Sequence, residues 1–346
     1  MSLQQIQVQY LPLIEKDLQR VVRVPHQSLA PYFGMMRYHM GWANENLQPL
    51  LTNSGKRLRP LLCLLTCEAA GGAPEKALPA ASALELVHNF SLVHDDIQDG
   101  SPLRRGRRTV WDIWGAAHGI NVGDGLFVLS RLALHRLADC GIPLQRQQAA
   151  SMALDHACLA LCEGQYCDMT FEEQIAVDLD QYLWMIRHKT AVLLAASTQL
   201  GAIIATDDTA IIGNYLRFGE NLGMAFQVQD DILGAWGDEQ VTGKSAATDI
   251  RDKKKTLPVV YALNHAAEDD SARRLAEIYE QPAPLDEPTI QAALTLIEGL
   301  GARQYAEEMA EAYYRQALQS LEDTGIDNAA QQCLRELAAS LLGRET

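Results

Sequence analysis

AASALELVHNFSLVHDDI, residues 80–97, spaces its apolar side chains as a helix does and runs directly into Asp95, Asp96 and Asp99. On such a helix Asp95 and Asp99 stand one turn apart on the same face, close enough to grip metal ions together. Three acids on one turn repel one another, and at the end of an apolar helix bare carboxylates gain little from the core. The cluster therefore costs free energy unless cations attend it. A solvated acidic helix end is the ordinary alternative, and it would suffice if the motif stood alone.

It does not stand alone. A second pair, Asp230-Asp231, follows another apolar stretch, LGMAFQVQ from Leu222. A helix bundle can bring two such pairs face to face across a cavity, where they would hold Mg²⁺. That ion ordinarily binds through a few carboxylates plus substrate phosphates, so the ligand implied is a diphosphate. Basic groups complement the acids. GKRLRP, from Gly55, puts Lys56 and Arg59 three residues apart, and Arg104-Arg105-Gly106-Arg107-Arg108 follows the first acidic motif after one loop. Guanidinium forks meet phosphate oxygens bidentately, and lysine supplies a mobile point charge. Lys189-Thr190 sits in a helix-like segment, while Lys244 and Lys253-Lys254-Lys255 belong to the loop after the second acidic pair. Each basic run alone reads as a solvated surface; the combination outweighs the separate alternatives.

The rest of the composition bounds the class. The chain has 346 residues, 48% hydrophobic and 21% charged, enough apolar side chain for a substantial core. A net charge of −15 argues against a general nucleic-acid binder, and the basic runs lack interleaved aromatics. Seven cysteines show no zinc-ligand spacing or disulfide framework, and the pairs Cys63/Cys67 and Cys158/Cys162 read as small buried residues on helix faces. The first residues lack the basic start and unbroken apolar core of a signal peptide. The most apolar run, Ala191–Ala205, is interrupted by Ser197, Thr198 and Gln199, so the cytoplasm is the default address. Aromatics are scarce at 6%, and Ala-, Leu-, Glu- and Gln-rich segments recur between short Gly or Pro breaks. These features predict a single all-α domain of about ten to thirteen helices. Breaks are expected at residues 71–74, 100–109, 141–143, near 207–208, at 234–258 and at 282–288.

Taken in order, GKRLRP from Gly55, ELVHNFSLVHDDIQD from Glu85, RRG from Arg104, HKT from His188, FQVQDD from Phe226 and GDEQVTGKSAATDIRDKKKTLP from Gly237 resemble the trans-isoprenyl diphosphate synthase, or polyprenyl synthetase, family. The resemblance implies an orthogonal helical bundle around a deep central pocket, usually in a homodimer. It also implies roles. Asp95, Asp99 and Asp230 would ligate Mg²⁺, with Asp96 and Asp231 beside them. Lys56, Arg59, His88 and Arg105 would hold the diphosphate of isopentenyl diphosphate. Arg104, Lys189, Lys244 and Lys254 would bind the allylic diphosphate, whether dimethylallyl, geranyl or farnesyl, with Thr190 and Gln227 lining the reacting carbons. His88 also reads as a satisfied core histidine, and its place seven residues before Asp95 is what favours substrate contact.

The chemistry implied is heterolysis of an allylic C–O bond, attack by the double bond of isopentenyl diphosphate, and loss of a proton to the released diphosphate. Phe90 and Ser91 precede Asp95 by five and four positions, about a turn or more deeper along the helix, where a growing tail would pass. A bulky Phe90 acts as a floor and Ser91 leaves room beside it. The expected product is therefore the twenty-carbon geranylgeranyl diphosphate over the fifteen-carbon farnesyl diphosphate; alternatively, Phe90 simply packs on a neighbouring helix. The sequence departs from the family pattern in three places: Gly234 where a third Asp is usual, Ser54 where Gly is common, and Arg108 for a frequent Pro. Asp238 is a candidate to compensate for Gly234 through water. The missing Asp keeps a terpene cyclase in view, and a non-catalytic partner subunit is the other rival. Retention of the isopentenyl set opposes the first, and retention of the acids opposes the second.

Overall fold

A computed structural model describes residues 3–52, 55–172, 174–175, 177–237, 247–265 and 269–343. The chain forms two compact units. The first comprises Met1–Asp155, Ala196–Gly213 and Ile326–Leu334, and the second His156–Ala195, Asn214–Gly325 and Arg335–Thr346.

In the first unit, α1 (Leu3–Val21) buries Ile6, Tyr10, Ile14 and Leu18, a single stripe at four-residue spacing. A 3₁₀ turn (Gln27–Leu29), α2 (Ala30–His39), α3 (Leu58–Ala69) and α4 (Pro74–Gln98) follow. Proline opens α4, where its missing N–H has no intrahelical partner to lose. Ala80, Ala81, Ala83, Leu84, Leu86 and Val87 have no exposed surface, so α4 is buried nearly all round. It packs against α1, α3 and α6 (Ala116–His135). Its small residues let those neighbours approach. Ser82 Oγ donates to Asp17 Oδ2 at 2.6 Å, and Arg136 Nη2 reaches the same oxygen at 2.5 Å, tying α1 to α4 and to the end of α6. Truncating Leu84 to alanine in such surroundings costs roughly 2–5 kcal/mol.

The expected break at 100–109 contains a small antiparallel hairpin, β1 (Leu103–Arg104) and β2 (Arg107–Arg108). Its two-residue loop, Arg105-Gly106, has φ of 53° and 72°. Positive φ at both central residues is the turn whose twist matches paired strands. α5 (Val110–Trp114) follows, cut from α6 by Gly115. α7 (Leu144–Glu172) supplies residues to each unit, as do α9 (Val192–Ala205), α10 (Thr209–Trp236) and the last helix.

The second unit adds α8 (Leu179–Ile186), a π-helical turn (Arg187–Ala191), α11 (Thr248–Arg251), α12 (Leu257–Leu263), α13 (Asp270–Glu280), α14 (Glu287–Gly299), α15 (Ala302–Glu322) and part of α16 (Ala329–Leu342). Asp178, Asp269 and Asp286 cap α8, α13 and α14 by accepting from backbone N–H groups of the first turn. Tyr182, Met185, Met224, Val228, Leu257 and Val260 share one core cluster.

The class is all-α, the two-residue strands aside. The described residues contain sixteen α-helices, more than the ten to thirteen expected, because short pieces such as α5 and α11 carry no periodic signal of their own. The other breaks fall close to where Gly and Pro placed them, except that α10 runs on through Gly234 to Trp236. Among the described residues no helix is long and apolar enough to cross a membrane. Cys63, Cys67 and Cys158 are buried, but Cys162 is exposed, contrary to its reading as a core residue.

Candidate active site

The first unit gathers most of the sequence-predicted residues at the C-terminal end of α4. Asp95, Asp96 and Asp99 stand at the negative end of the helix dipole, where carboxylates are least welcome without cations. Arg104, on β1, answers two of them: its Nε donates to Asp96 Oδ1 at 2.6 Å and its Nη2 to Asp95 Oδ2 at 2.9 Å. Asp96 is buried, Asp95 half-buried and Asp99 exposed. Burial pushes the Asp96 carboxyl up to about 6, against the pull of Arg104. Asp96 Oδ2 is buried without a hydrogen-bond partner.

Around this turn lies a concentration of positive charge. Gly55, at φ 87°, lies so close to Arg105 that a Cβ there would sit 3.1 Å from the guanidinium carbon. The Gly55-Lys56 turn and the hairpin tip therefore touch, which brings Lys56 and Arg59 into one neighbourhood with Arg105. Lys56 is exposed and Arg59 half-buried, with its Nε buried and unpartnered. Burial lowers Arg59 to about 10 and also lowers Arg105. His88 is held far below its ordinary value by burial first, and then by Arg59, Arg105 and Arg104. His39, on α2, is pushed down to about 3 by burial and the same guanidinium cluster. A proton on either imidazole would add charge to a half-desolvated cationic patch. Both histidines are thus held neutral, and the patch's positive charge is that of its lysine and arginines.

Two features here escaped the sequence reading. Arg57, between the two basic residues singled out in GKRLRP, is buried and paired with Glu15 at 2.6 Å and Glu85 at 2.7 Å. It braces α3 against α1 and α4. His39 lies outside any motif, and only its tertiary neighbours mark it. Phe90 is buried and meets Phe127 of α6 edge to face at 5.0 Å and His94 at 5.9 Å. Ser91 is half-buried, its Oγ donating to His88 O at 2.9 Å. Arg108 is exposed and pairs with Asp112 at 2.6 Å.

The second unit carries the other predicted residues. On α10 the consecutive acids diverge: Asp230 is exposed and Asp231 is 4% exposed. Asp231 accepts from Tyr182 Oη, from the Leu257 backbone N–H at 2.9 Å and from Gln227 Nε2 at 2.9 Å. Burial pushes it up to about 7, opposed by those donors. Gln227 Oε1 in turn accepts from Thr190 Oγ1 at 2.7 Å. Thr190 and Lys189 lie on the π-helical turn, a device common at functional sites. Lys189 Nζ donates to Asp168 Oδ2, on α7, at 2.5 Å. Neither Asp168 nor Tyr182 was anticipated, since nothing local separates them from a surface acid and a core aromatic. Lys254 is exposed, 4.0 Å from Asp249. Lys244, Ser54 and Asp238 lie outside the described residues.

Among the described residues no three His, Cys, Asp or Glu side chains gather as a preformed metal cage. A Mg²⁺ ion held jointly with substrate phosphate does not require one. In the first unit, Asp95 with Asp99 on one turn and the orphaned Asp96 oxygen offer oxygen donors of the kind a hard divalent cation takes; in the second, Asp230 stands exposed on α10.

The family model of polyprenyl synthetases matches residues 40–297. A (2E,6E)-farnesyl diphosphate synthase and a geranylgeranyl diphosphate synthase, both from Mycobacterium tuberculosis, are each 39% identical to this chain. The alignments cover 90% and 88% of it, and 86% and 85% of those proteins. A crystal structure of polyprenyl synthetase from Streptomyces coelicolor A3(2) superposes with a TM-score of 0.88 at 34% identity, covering 98% of each chain. The paired acids, the basic patch beside them and the shared all-α fold lead to one assignment: the chain belongs to the polyprenyl synthetase, or trans-isoprenyl diphosphate synthase, family of prenyltransferases.

Proposed function

We propose that this chain is a Mg²⁺-dependent synthase that joins isopentenyl diphosphate to an allylic diphosphate and stops at geranylgeranyl diphosphate. The observation that carries the reading is the Gly55–Arg105 contact, which assembles a cationic patch with neutral histidines directly beside the acidic end of α4. That patch suits a diphosphate, and the adjacent carboxylates suit the metal that accompanies one.

Lys56, Arg59 and Arg105 bind and orient isopentenyl diphosphate, with His88 neutral among them. Arg104 exchanges its carboxylate partners for phosphate oxygens of the allylic substrate, joined by Lys189, Lys244 and Lys254. Bound Mg²⁺, held by Asp95, Asp99 and Asp230, supplies Lewis-acid neutralisation of the departing diphosphate. Thr190 and Gln227 hold fixed dipoles near the reacting carbons, Gln227 being locked by Asp231. The apolar faces of α4 and α6 exclude water from the allylic cation, and the released diphosphate accepts the proton. Exposed Ile120, Val128 and Leu132 on α6 offer an apolar face that suits a second copy of the chain. The chain works as one catalytic domain, in a homodimer, in the cytoplasm.

Purified protein incubated with Mg²⁺, labelled isopentenyl diphosphate and primers of increasing length should yield a twenty-carbon product by chromatography. Failure to incorporate label with any primer would overturn the proposal. The edge-to-face contact of Phe90 with Phe127 supplies the floor that ends elongation. Phe90→Ala should therefore lengthen the product by at least one isoprene unit, and an unchanged product would dismiss Phe90 as the stop.

A further inference from the structure

Gly234 stands one turn beyond Asp230 on α10, the position that shares its face and where the family usually places a third Asp. That position is not spatially empty. A Cβ at 234 would lie 2.8 Å from Asp249 Cγ and nearer still to Oδ2. The Asp249 carboxylate, brought by α11 from a separate segment, thus occupies the volume a side chain at 234 would need. It lies against α10 at the next turn after Asp230.

Several contacts hold it there without neutralising it. The Asp249 carbonyl accepts the Lys254 N–H at 2.8 Å, which fixes the backbone of the returning loop. Lys254 Nζ lies 4.0 Å from Oδ1, an ion pair too long for a hydrogen bond. The carboxylate is only 15% exposed. Its charge reaches Asp231, Tyr182 and Tyr279, and the buried Tyr279 hydroxyl has no hydrogen-bond partner. A mostly enclosed carboxylate, loosely paired and filling the space beside α10 where no side chain stands, is arranged for a cation or its hydration water.

We propose that Asp249 replaces, in space, the carboxylate that α10 lacks at position 234, and binds the Mg²⁺–diphosphate beside Asp230. Gly234 is then the necessary complement: it is the residue that leaves room. The inference rests on the metal-dependent reading of Asp230 given above.

The test is calorimetric binding of inorganic diphosphate at stepped Mg²⁺ concentrations, with thermal stability measured in parallel. Asp249→Asn should raise the Mg²⁺ needed for half-maximal binding about tenfold or more, the scale on which a metal site responds to losing a supporting group. Gly234→Ala keeps every charge but evicts the carboxylate, so it should shift the requirement the same way. The exchange Gly234→Asp with Asp249→Gly should recover most of the loss. If Asp249→Asn and Gly234→Ala both keep the original Mg²⁺ requirement while Asp230→Asn abolishes binding, Asp249 is structural and the proposal falls alone. If Asp230→Asn also binds normally, the reading of the second acidic motif falls with it. Should Asp249→Asn fail to fold, Gly234→Ala decides.

Discussion

The two acidic pairs differ in how each secures its buried member. In the first unit Asp96 is held by a charged partner, Arg104, and retains an oxygen with no partner. In the second, Asp231 is held by neutral donors, Tyr182, the Leu257 backbone and Gln227. A guanidinium can trade one anion for another, whereas a buried tyrosine and a backbone N–H have nowhere else to go. On the proposed reading, the first pair is the one able to exchange partners with substrate. The second is built as a fixed mount that holds Asp230 outward and Gln227 in place.

The sharpest way to break this contrast is to remove the less buried acid of each pair. Asp95→Asn and Asp230→Asn should each lower kcat about a thousandfold, the scale on which transition-state charge stabilisation is lost. The melting temperature should change little, since neither side chain is buried. A large drop in stability with retained turnover would reverse the roles assigned here. Asp231→Ala should do the opposite first, costing about 3 kcal/mol in denaturant unfolding because buried donors lose their acceptor. Arg104→Gln should weaken allylic diphosphate binding by about thirtyfold, the loss of a charge-assisted pair, with a smaller effect on unfolding. If that variant unfolds as readily as Asp231→Ala, the exchangeable and fixed pairs are not different in kind.

The smallest effect is a pH slope. Asp231 is pushed up to about 7 from an ordinary 3.8, so it binds its proton more tightly folded than unfolded. Its contribution to stability is complete below the unfolded value and is lost as pH rises through 7. Metal-free protein should therefore lose stability between about pH 4 and 7 relative to Asp231→Asn. The depressed histidines of the first unit slope the other way, but equally in both proteins, and cancel in the comparison. Parallel curves would mean that Asp231 is ionised in the fold.

These differences also explain what the sequence made legible. Asp95, Asp99, Arg104 and Arg105 stood out as candidates because metal–diphosphate chemistry would demand those residue types at those short spacings. The helix under them was plain from the helical spacing of its apolar side chains. Arg57 was passed over because its bracing role depends on Glu15 and Glu85, distant in sequence, closing on it. His39, Asp168 and Tyr182 gave no local signal, since each acquires its meaning from a partner on another helix. The glycine at 234 read as a loss, because Asp249 returns beside it only after the chain has left α10 and come back through α11.

The widened turn at Arg187–Ala191 has one more consequence. Fitting an additional residue into a helix rotates everything after it by roughly 100° relative to what precedes it. Upstream, Tyr182 answers to the demands of Asp231, and downstream the apolar side chains of α9 answer to packing. The turn lets those two phases coexist on one continuous rod. Deleting a single residue there would bring the two phases into line, swinging Lys189 off Asp168 or α9 off its neighbours, so the helix could satisfy one master but not both.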